Sequence, residues 1–176
     1  MYLKYIPLLA LTLSLNAVAK IAEGELLVKG VVKNPTCSVE APPEEVALGS
    51  YTPGDLILNK SKVVDLDITV DCSGSYSNGE FRGIYVNLNP LPSSPAVGSS
   101  MPGTMKTNLE GVGVKLSWDY NFNTLRFGDD VNPFSNNTGL FYINIRSQLV
   151  ALSNYSESTI ERGAAKAGMI VSLSYF

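Results

Sequence analysis

Gly163-Ala-Ala-Lys-Ala-Gly-Met-Ile-Val-Ser-Leu-Ser-Tyr175-Phe176 is the stretch of sequence that decides the fold of this chain. From Ala165 onwards every second residue is apolar, which is the period of a β-strand with one buried face. The inward set that this period predicts comprises Ala165, Ala167, Met169, Val171, Leu173 and Tyr175. Because a long apolar strand with a bare edge invites aggregation, we expect something else to cover this edge.

The chain has 176 residues, enough for one domain with a hydrophobic core. Residues 1–19 are predicted to form a secretory signal peptide, since Lys4 precedes an apolar run and Ala17-Val18-Ala19 is a small-x-small cleavage site. A short membrane anchor is the alternative, but the run is below the ~20 residues that span a bilayer. We therefore expect an exported, soluble product that begins at Lys20.

Charge and composition limit the function. The formal net charge of −3 argues against nucleic acid or anionic membrane as a partner, because both call for basic patches. The chain contains no histidine, which removes Ser-His-Asp and Cys-His catalytic arrangements and His-containing zinc sites. An enzyme would have to use carboxylates alone, with Asp129 and Asp130 as candidates. We expect no enzymatic activity, no cofactor and no metal.

The two cysteines are Cys37 and Cys72. An even number of cysteines in an exported chain favours a disulfide, and closing the loop between these two would contribute roughly 4 kcal/mol. Two free buried thiols are the alternative.

Residues 20–32 are extended in character, with apolar or small residues at Ala22, Gly24, Leu26, Val28, Gly30 and Val32. After Asn34-Pro35 the apolar positions become odd, and a break in register is expected there because proline restricts its neighbour and lacks a ladder donor. We infer that the two faces serve different cores; one edge strand with a bulge is the alternative. Gly30 suits a close approach of two backbones, unless it is merely a flexible site.

Short strands with turn signals between them predict an all-β sandwich. We place strands at residues 46–51, 63–72, 83–88, 111–118, 124–127 and 139–152, a turn at 52–55 and a long irregular stretch at 89–109. Trp118, Tyr120 and Phe122 could form a platform for stacking sugars, although core packing is the favoured interpretation of a single tryptophan.

These elements resemble the subunits of chaperone–usher pili, the pilins of type 1 and P pili. The resemblance rests on Val28-Lys29-Gly30-Val31-Val32 before Cys37, the alternating strand that ends at Cys72, Gly111-Val112-Gly113-Val114, and Gly163 with the penultimate Tyr175. The fold implied is an incomplete immunoglobulin-like β-sandwich over residues 33–176 that lacks its final strand. Residues 20–32 would be a donor-strand extension.

The extension runs into the first core strand without a reversing turn, so we expect it to lie outside its own sheet and to fill the gap in a neighbour. Such head-to-tail contacts build open filaments. The expected donor residues are Leu26, Val28, Gly30 and Val32, and the expected acceptor residues are Gly163, Ala165, Ala167, Met169, Val171, Leu173 and Tyr175.

The resemblance implies a structural fimbrial subunit that supports cell adhesion and polymerises by donor-strand exchange. A periplasmic chaperone would cover the terminal strand until a neighbouring pilin subunit replaces it at the outer-membrane usher. The protein would pass through the periplasm into a fimbrium on the bacterial cell surface. The short extension is more typical of a minor or tip-region subunit. The alternative is a pilus-borne adhesin that binds a host ligand through the 89–109 loop or the Trp118 hairpin.

Overall fold

The computed structural model describes residues 22–32, 37–40, 45–73, 84–131 and 139–175, so the predicted signal peptide lies outside the described residues. Within these ranges no helix is long and apolar enough to cross a membrane. The elements, in chain order, are β1 (Ala22–Val32), β2 (Ser38–Glu40), β3 (Val46–Tyr51), α1 (Pro53–Ile57), β4 (Val63–Asp71), β5 (Ile84–Pro90), β6 (Thr104–Lys106), β7 (Val112–Trp118), β8 (Asp130–Val131), β9 (Leu140–Ala151) and β10 (Ala164–Tyr175).

The strands form two five-stranded sheets. The first sheet has the order β3-β1-β10-β5-β8, and the second has the order β2-β4-β9-β7-β6. The predicted all-β immunoglobulin-like sandwich is confirmed.

The core lies between the inner faces of the sheets, where alternating apolar residues meet. In β4, Leu66, Ile68 and Val70 are buried, while Asp65 and Asp67 on the other face are exposed. The central strand β9 pairs with β4 on one side and with β7 on the other. The period of two seen in the sequence therefore corresponds to one inward and one outward face in each sheet.

A disulfide joins Cys37 to Cys72, as predicted. Cys37 directly precedes β2 and Cys72 directly follows β4, and these two strands are antiparallel neighbours in the second sheet. The bond therefore closes one end of the second sheet and leaves β1 outside the closed loop.

Three local predictions were wrong. Residues 52–55 begin a short helix, because Thr52 and Asp55 form a capping box in which Thr52 Oγ1 accepts from the Asp55 N–H and the Asp55 carboxylate accepts from the Thr52 N–H. Residues 124–127 make only an isolated bridge, from Ser117 to Thr124. The 89–109 stretch contains β6, which pairs with β7.

The burial pattern of β9 predicts that substitutions at two adjacent positions change the free energy of unfolding by very different amounts. Ile143 is 1% exposed and Tyr142 is 54% exposed. We expect Ile143→Ala to lower the free energy of unfolding by about 2–5 kcal/mol, because it leaves a cavity among close-packed side chains. Tyr142→Ala, the control, should change it by about 0.5 kcal/mol or less. Urea unfolding of both variants measures the difference, and equal effects would contradict the assignment of the faces.

Candidate functional site

Strand β1 lies inside the first sheet, between β3 and β10. It runs parallel to β10, with Leu26 opposite Ala167 and Val28 opposite Met169, and antiparallel to β3. All other ladders among the described strands are antiparallel. The terminal strand β10 is thus covered by a segment from the opposite end of its own chain.

The prediction that residues 20–32 lie outside their own sheet is therefore wrong for this structure. A parallel ladder with a distant strand needs no reversing turn next to β1, so the lack of such a turn does not keep β1 away. The change of parity near Asn34 and Pro35 accompanies the passage of the chain from the first sheet to the second. Leu26, Val28 and Cys37 belong to one core cluster, so the two faces serve one core and not two.

Two of the residues expected to act as a donor, Leu26 and Val28, lie on the inward face of β1. Leu26 is 0% exposed and Val28 is 6% exposed. At Gly24 an added Cβ would lie 2.4 Å from Cδ1 of Leu149, because that leucine of the opposite sheet fills the space that a side chain would need. Gly30 and Val32 lie opposite Val171 and Leu173 in the ladder, and the burial of these two β1 residues lies outside what the structure describes.

The expected acceptor strand is β10. Its inward residues are buried: Ala165, Ala167, Met169, Val171 and Leu173. Gly163 directly precedes the strand, beside Leu109. Tyr175 ends the strand opposite Ile84 of β5, and its side chain lies outside the described part. Strand β10 therefore offers one edge to β5 and the other to β1.

We call the space between β3 and β10 that β1 fills the slot. Charged residues on the outer face of the sheet link the strands at this slot. Lys166 of β10 lies directly opposite Glu25 of β1, and its Nζ is 2.8 Å from Glu25 Oε2. Glu45, which precedes β3, places its Oε1 3.7 Å from the same Nζ. Sequence reasoning missed this cluster, because Glu25 and Lys166 are distant in the chain and no local pattern connects them.

The ion pair shifts the titration of both partners. The hydrogen bond from Lys166 holds the pKa of Glu25 below its ordinary value. The same contact raises the pKa of Lys166, and the charges of Glu25 and Glu45 add to the effect. Both residues therefore stay charged around neutral pH.

The aromatic residues considered as a platform for sugars lie away from the slot. Trp118 is 5% exposed, whereas Tyr120 and Phe122 are more than half exposed. The Trp118 and Tyr120 ring centroids are 6.1 Å apart, but Phe122 packs under Arg146, whose Cζ is 4.9 Å from the ring centroid. The three rings do not make one platform, because Tyr120 lies near Trp118 whereas Phe122 packs against Arg146.

The two carboxylates considered for acid–base chemistry are exposed: Asp130 begins β8 and Asp129 directly precedes it. Oδ1 of Asp130 accepts a hydrogen bond of 2.9 Å from Nδ2 of Asn87. Asp129 lines an open cleft that also contains Trp118 and Tyr120. In the described part of the chain, no group of three or more acidic or cysteine side chains is placed to hold a metal ion.

Comparisons with known proteins found likeness only among solved structures, since no family model and no curated protein matches the chain. The crystal structure of the P pilus rod subunit PapA matches with a TM-score of 0.62 and 18% identity, over 80% of this chain and 99% of that one. A chaperone–usher pilus structure concerned with rod uncoiling matches with a TM-score of 0.62 and 19% identity, over 84% of this chain and 92% of that one.

These likenesses extend over most of both chains, at identities that establish the fold alone. The chain has the fold of chaperone–usher pilus subunits.

Proposed function

We propose that this chain is a structural pilus subunit that polymerises by donor-strand exchange. In this proposal β1 leaves the slot between β3 and β10 and enters the same slot of a neighbouring subunit. The vacated slot receives a strand from another neighbour, so the contact is head-to-tail and the polymer can grow without closing. The observation that carries the proposal is the position of β1 as an interior strand drawn from the far end of the chain.

The pairing of β1 supports its role as a replaceable strand. It is held next to β10 by a parallel ladder, which is slightly less stable per residue than an antiparallel one. The disulfide begins at Cys37, after β1, so the closed loop of the second sheet does not depend on β1. A strand can therefore be exchanged while the rest of the sandwich stays joined.

An empty slot is unfavourable, which explains why a chaperone is part of the proposal. Removing β1 would expose the cavity that Leu26 and Val28 fill, and each such side chain contributes about 1.5–3 kcal/mol when buried. It would also leave the backbone groups along one edge of β10 without partners. We propose that a periplasmic chaperone supplies a strand until a neighbouring pilin subunit replaces it at the outer-membrane usher.

The likeness to pilus rod subunits supports a pilin role, and with it a location in a fimbrium on the bacterial cell surface after passage through the periplasm. The assembly step needs neither catalysis nor a cofactor. The short donor segment favours a minor or tip-region position, which gold labelling along isolated fibres would test.

The first prediction compares an inward and an outward residue of β1. Leu26→Glu places a charge where Leu26 is fully buried, whereas Lys29→Glu changes an exposed side chain of the same strand. Because an unpaired buried charge costs several kcal/mol, we expect Leu26→Glu to reduce incorporation into fibres by more than about tenfold. Lys29→Glu should incorporate normally. Fibre content is measured by immunoblot of sheared surface material.

Deletion of residues 20–28 provides the matching control for folding. The deleted chain should still form a complex with the chaperone, because the chaperone strand fills the slot, but it should not attach to the next subunit. Normal incorporation of the deleted chain would refute donor-strand exchange.

The second prediction concerns a chain that lacks residues 20–32. Without its donor strand and without chaperone, the domain should unfold readily. A synthetic peptide of residues 20–32 at about 100 times its Kd should raise the unfolding midpoint by roughly 5–10 °C. The same peptide with Leu26→Glu should raise it far less. Calorimetry measures the midpoints, and equal stability of the truncated domain with and without peptide would contradict the proposal.

The third prediction concerns the ion pair over the slot. Lys166→Gln should speed the release of β1, because Glu25 loses its partner, while Lys115→Gln, an exposed lysine with no ion pair among the described residues, should not. The pKa of Glu25 is lowered, so its stabilisation is complete above its ordinary pKa and is lost as the pH falls through the lowered value. The pKa of Lys166 is raised, so its contribution persists to higher pH and is lost as the pH rises through the raised value.

The measurement is the rate at which labelled donor peptide displaces β1 from the intact chain. In the natural sequence this rate should rise from about pH 6 to about pH 3, and added salt should raise it at neutral pH. In the Lys166→Gln variant the rate should depend less on pH and less on salt. Unchanged dependences in that variant would exclude the ion pair as a restraint on β1.

A further inference from the structure

An open cleft lies between the 89–109 loop and the loop that follows β7. Its volume is about 480 Å³, within the range of small-molecule sites in proteins. No residue of β1 or β10 lines it. The cleft is therefore lined by residues outside the two strands that meet at the slot.

One wall of the cleft is aromatic. Trp118 and Tyr120 both line it, and Trp118 is 5% exposed while Tyr120 is 58% exposed. The ring centroids are 6.1 Å apart and the ring planes meet at 45°. Because Trp118 is almost fully buried, the ring that a ligand can reach is that of Tyr120, which combines an apolar body with a polar hydroxyl.

The lining of the cleft also contains polar groups and carries both signs of charge. Arg126 and Asp129 both line it as exposed side chains. Among the residues that the structure describes, neither one forms an ion pair. The guanidinium can therefore donate hydrogen bonds to a ligand, and the carboxylate can accept them.

The loop that carries Tyr120 is held in place by local contacts. The Trp118 N–H donates to the Asn123 carbonyl at 3.0 Å, and Asn121 Oδ1 accepts from the Asn123 N–H at 2.9 Å. Phe122 has a φ of 56°, a left-handed conformation that is rare for an aromatic residue. This backbone turns Phe122 towards Arg146 and leaves Tyr120 on the side of the cleft.

Gly103 of the 89–109 loop packs against Thr124, which lines the cleft. At Gly103 an added Cβ would lie 2.5 Å from Thr124 Cγ2 and 2.7 Å from the Leu125 carbonyl oxygen, and its φ is +68°. Only glycine fits this close approach. The two regions that sequence analysis named as alternative binding sites thus meet at one place.

We propose that this cleft binds a neutral saccharide. A sugar ring presents C–H groups that pack on an aromatic face, and hydroxyl groups that donate to a carboxylate and accept from a guanidinium. The formal charges of Arg126 and Asp129 cancel, so the cleft has no net preference for an anion or a cation. Asn121 and Asn123 add amide groups at its rim.

The intact secreted chain tests the proposal, because Trp118 is its only tryptophan and lines the cleft. Fluorescence is recorded during titration with mannose, galactose, fucose, N-acetylglucosamine and N-acetylneuraminic acid, each to about 100 mM, which detects binding in the millimolar range. We expect a saturable change with at least one of the four neutral sugars. No saturable change with any of them, or tightest binding of the anionic N-acetylneuraminic acid, would overturn the proposal.

Three variants tie the response to the cleft. Tyr120→Ala and Asp129→Asn should each weaken binding by about tenfold or more, and both residues are exposed, so neither change disturbs the core. Tyr142→Ala, at an exposed position of β9 that does not line the cleft, is the control and should bind as the natural chain does. Unchanged affinity in both Tyr120→Ala and Asp129→Asn would overturn the assignment.

Discussion

Strand β10 has to be paired along both of its edges, and the first sheet is arranged around that requirement. Its inward residues are almost fully buried, so its backbone groups have little access to water. Buried N–H and C=O groups without partners are costly, and a bare edge would also be open to aggregation. Strand β5 covers one edge. The other edge is covered by β1, over ten consecutive residue pairs from Glu23 with Ala164 to Val32 with Leu173.

The strand that meets this requirement is also suited to being replaced. It is tied to the sheet by a ladder, by inward side chains and by the outer ion pair between Glu25 and Lys166, all of which are noncovalent. The one covalent cross-link of the described chain begins beyond it, at Cys37. A one-residue slip of β1 would turn its apolar face to solvent, so the alternation along the strand sets the register of whichever slot it enters.

The cleft proposed to bind a saccharide and the slot that holds β1 are formed by different elements. Donor-strand exchange at the slot would therefore leave the cleft of each subunit open to a ligand. In a polymer of such subunits the cleft would be repeated along the fibre. Weak single sites then act together, because binding at one brings the next ligand to a high effective concentration. A subunit with a structural role in the fibre can in this way add to adhesion without a separate binding domain.

The sequence by itself determined the strands whose apolar residues alternate, the all-β class and the disulfide. Burial of one strand face requires an apolar residue at every second position, and a disulfide requires two cysteines, so both features are visible in the sequence. Residues 63–71 and 164–175 were therefore readable as strands, and the alternate residues from Leu66 to Val70 and from Ala165 to Leu173 are buried as predicted. The short helix at residues 53–57 was missed, although Thr52 and Asp55 carry its capping signal.

Only the tertiary structure decided where β1 goes and which distant groups meet. The alternation that includes Leu26 and Val28 indicates that one face of β1 is buried. It does not indicate in which sheet, because a strand with this alternation can pair in any sheet that has the same pleat. Likewise the pairing of Glu25 with Lys166, and the meeting of Gly103 with Thr124 at the cleft, depend on elements far apart in the chain. Such contacts arise from how the two sheets and their loops pack, which no local pattern of residues records.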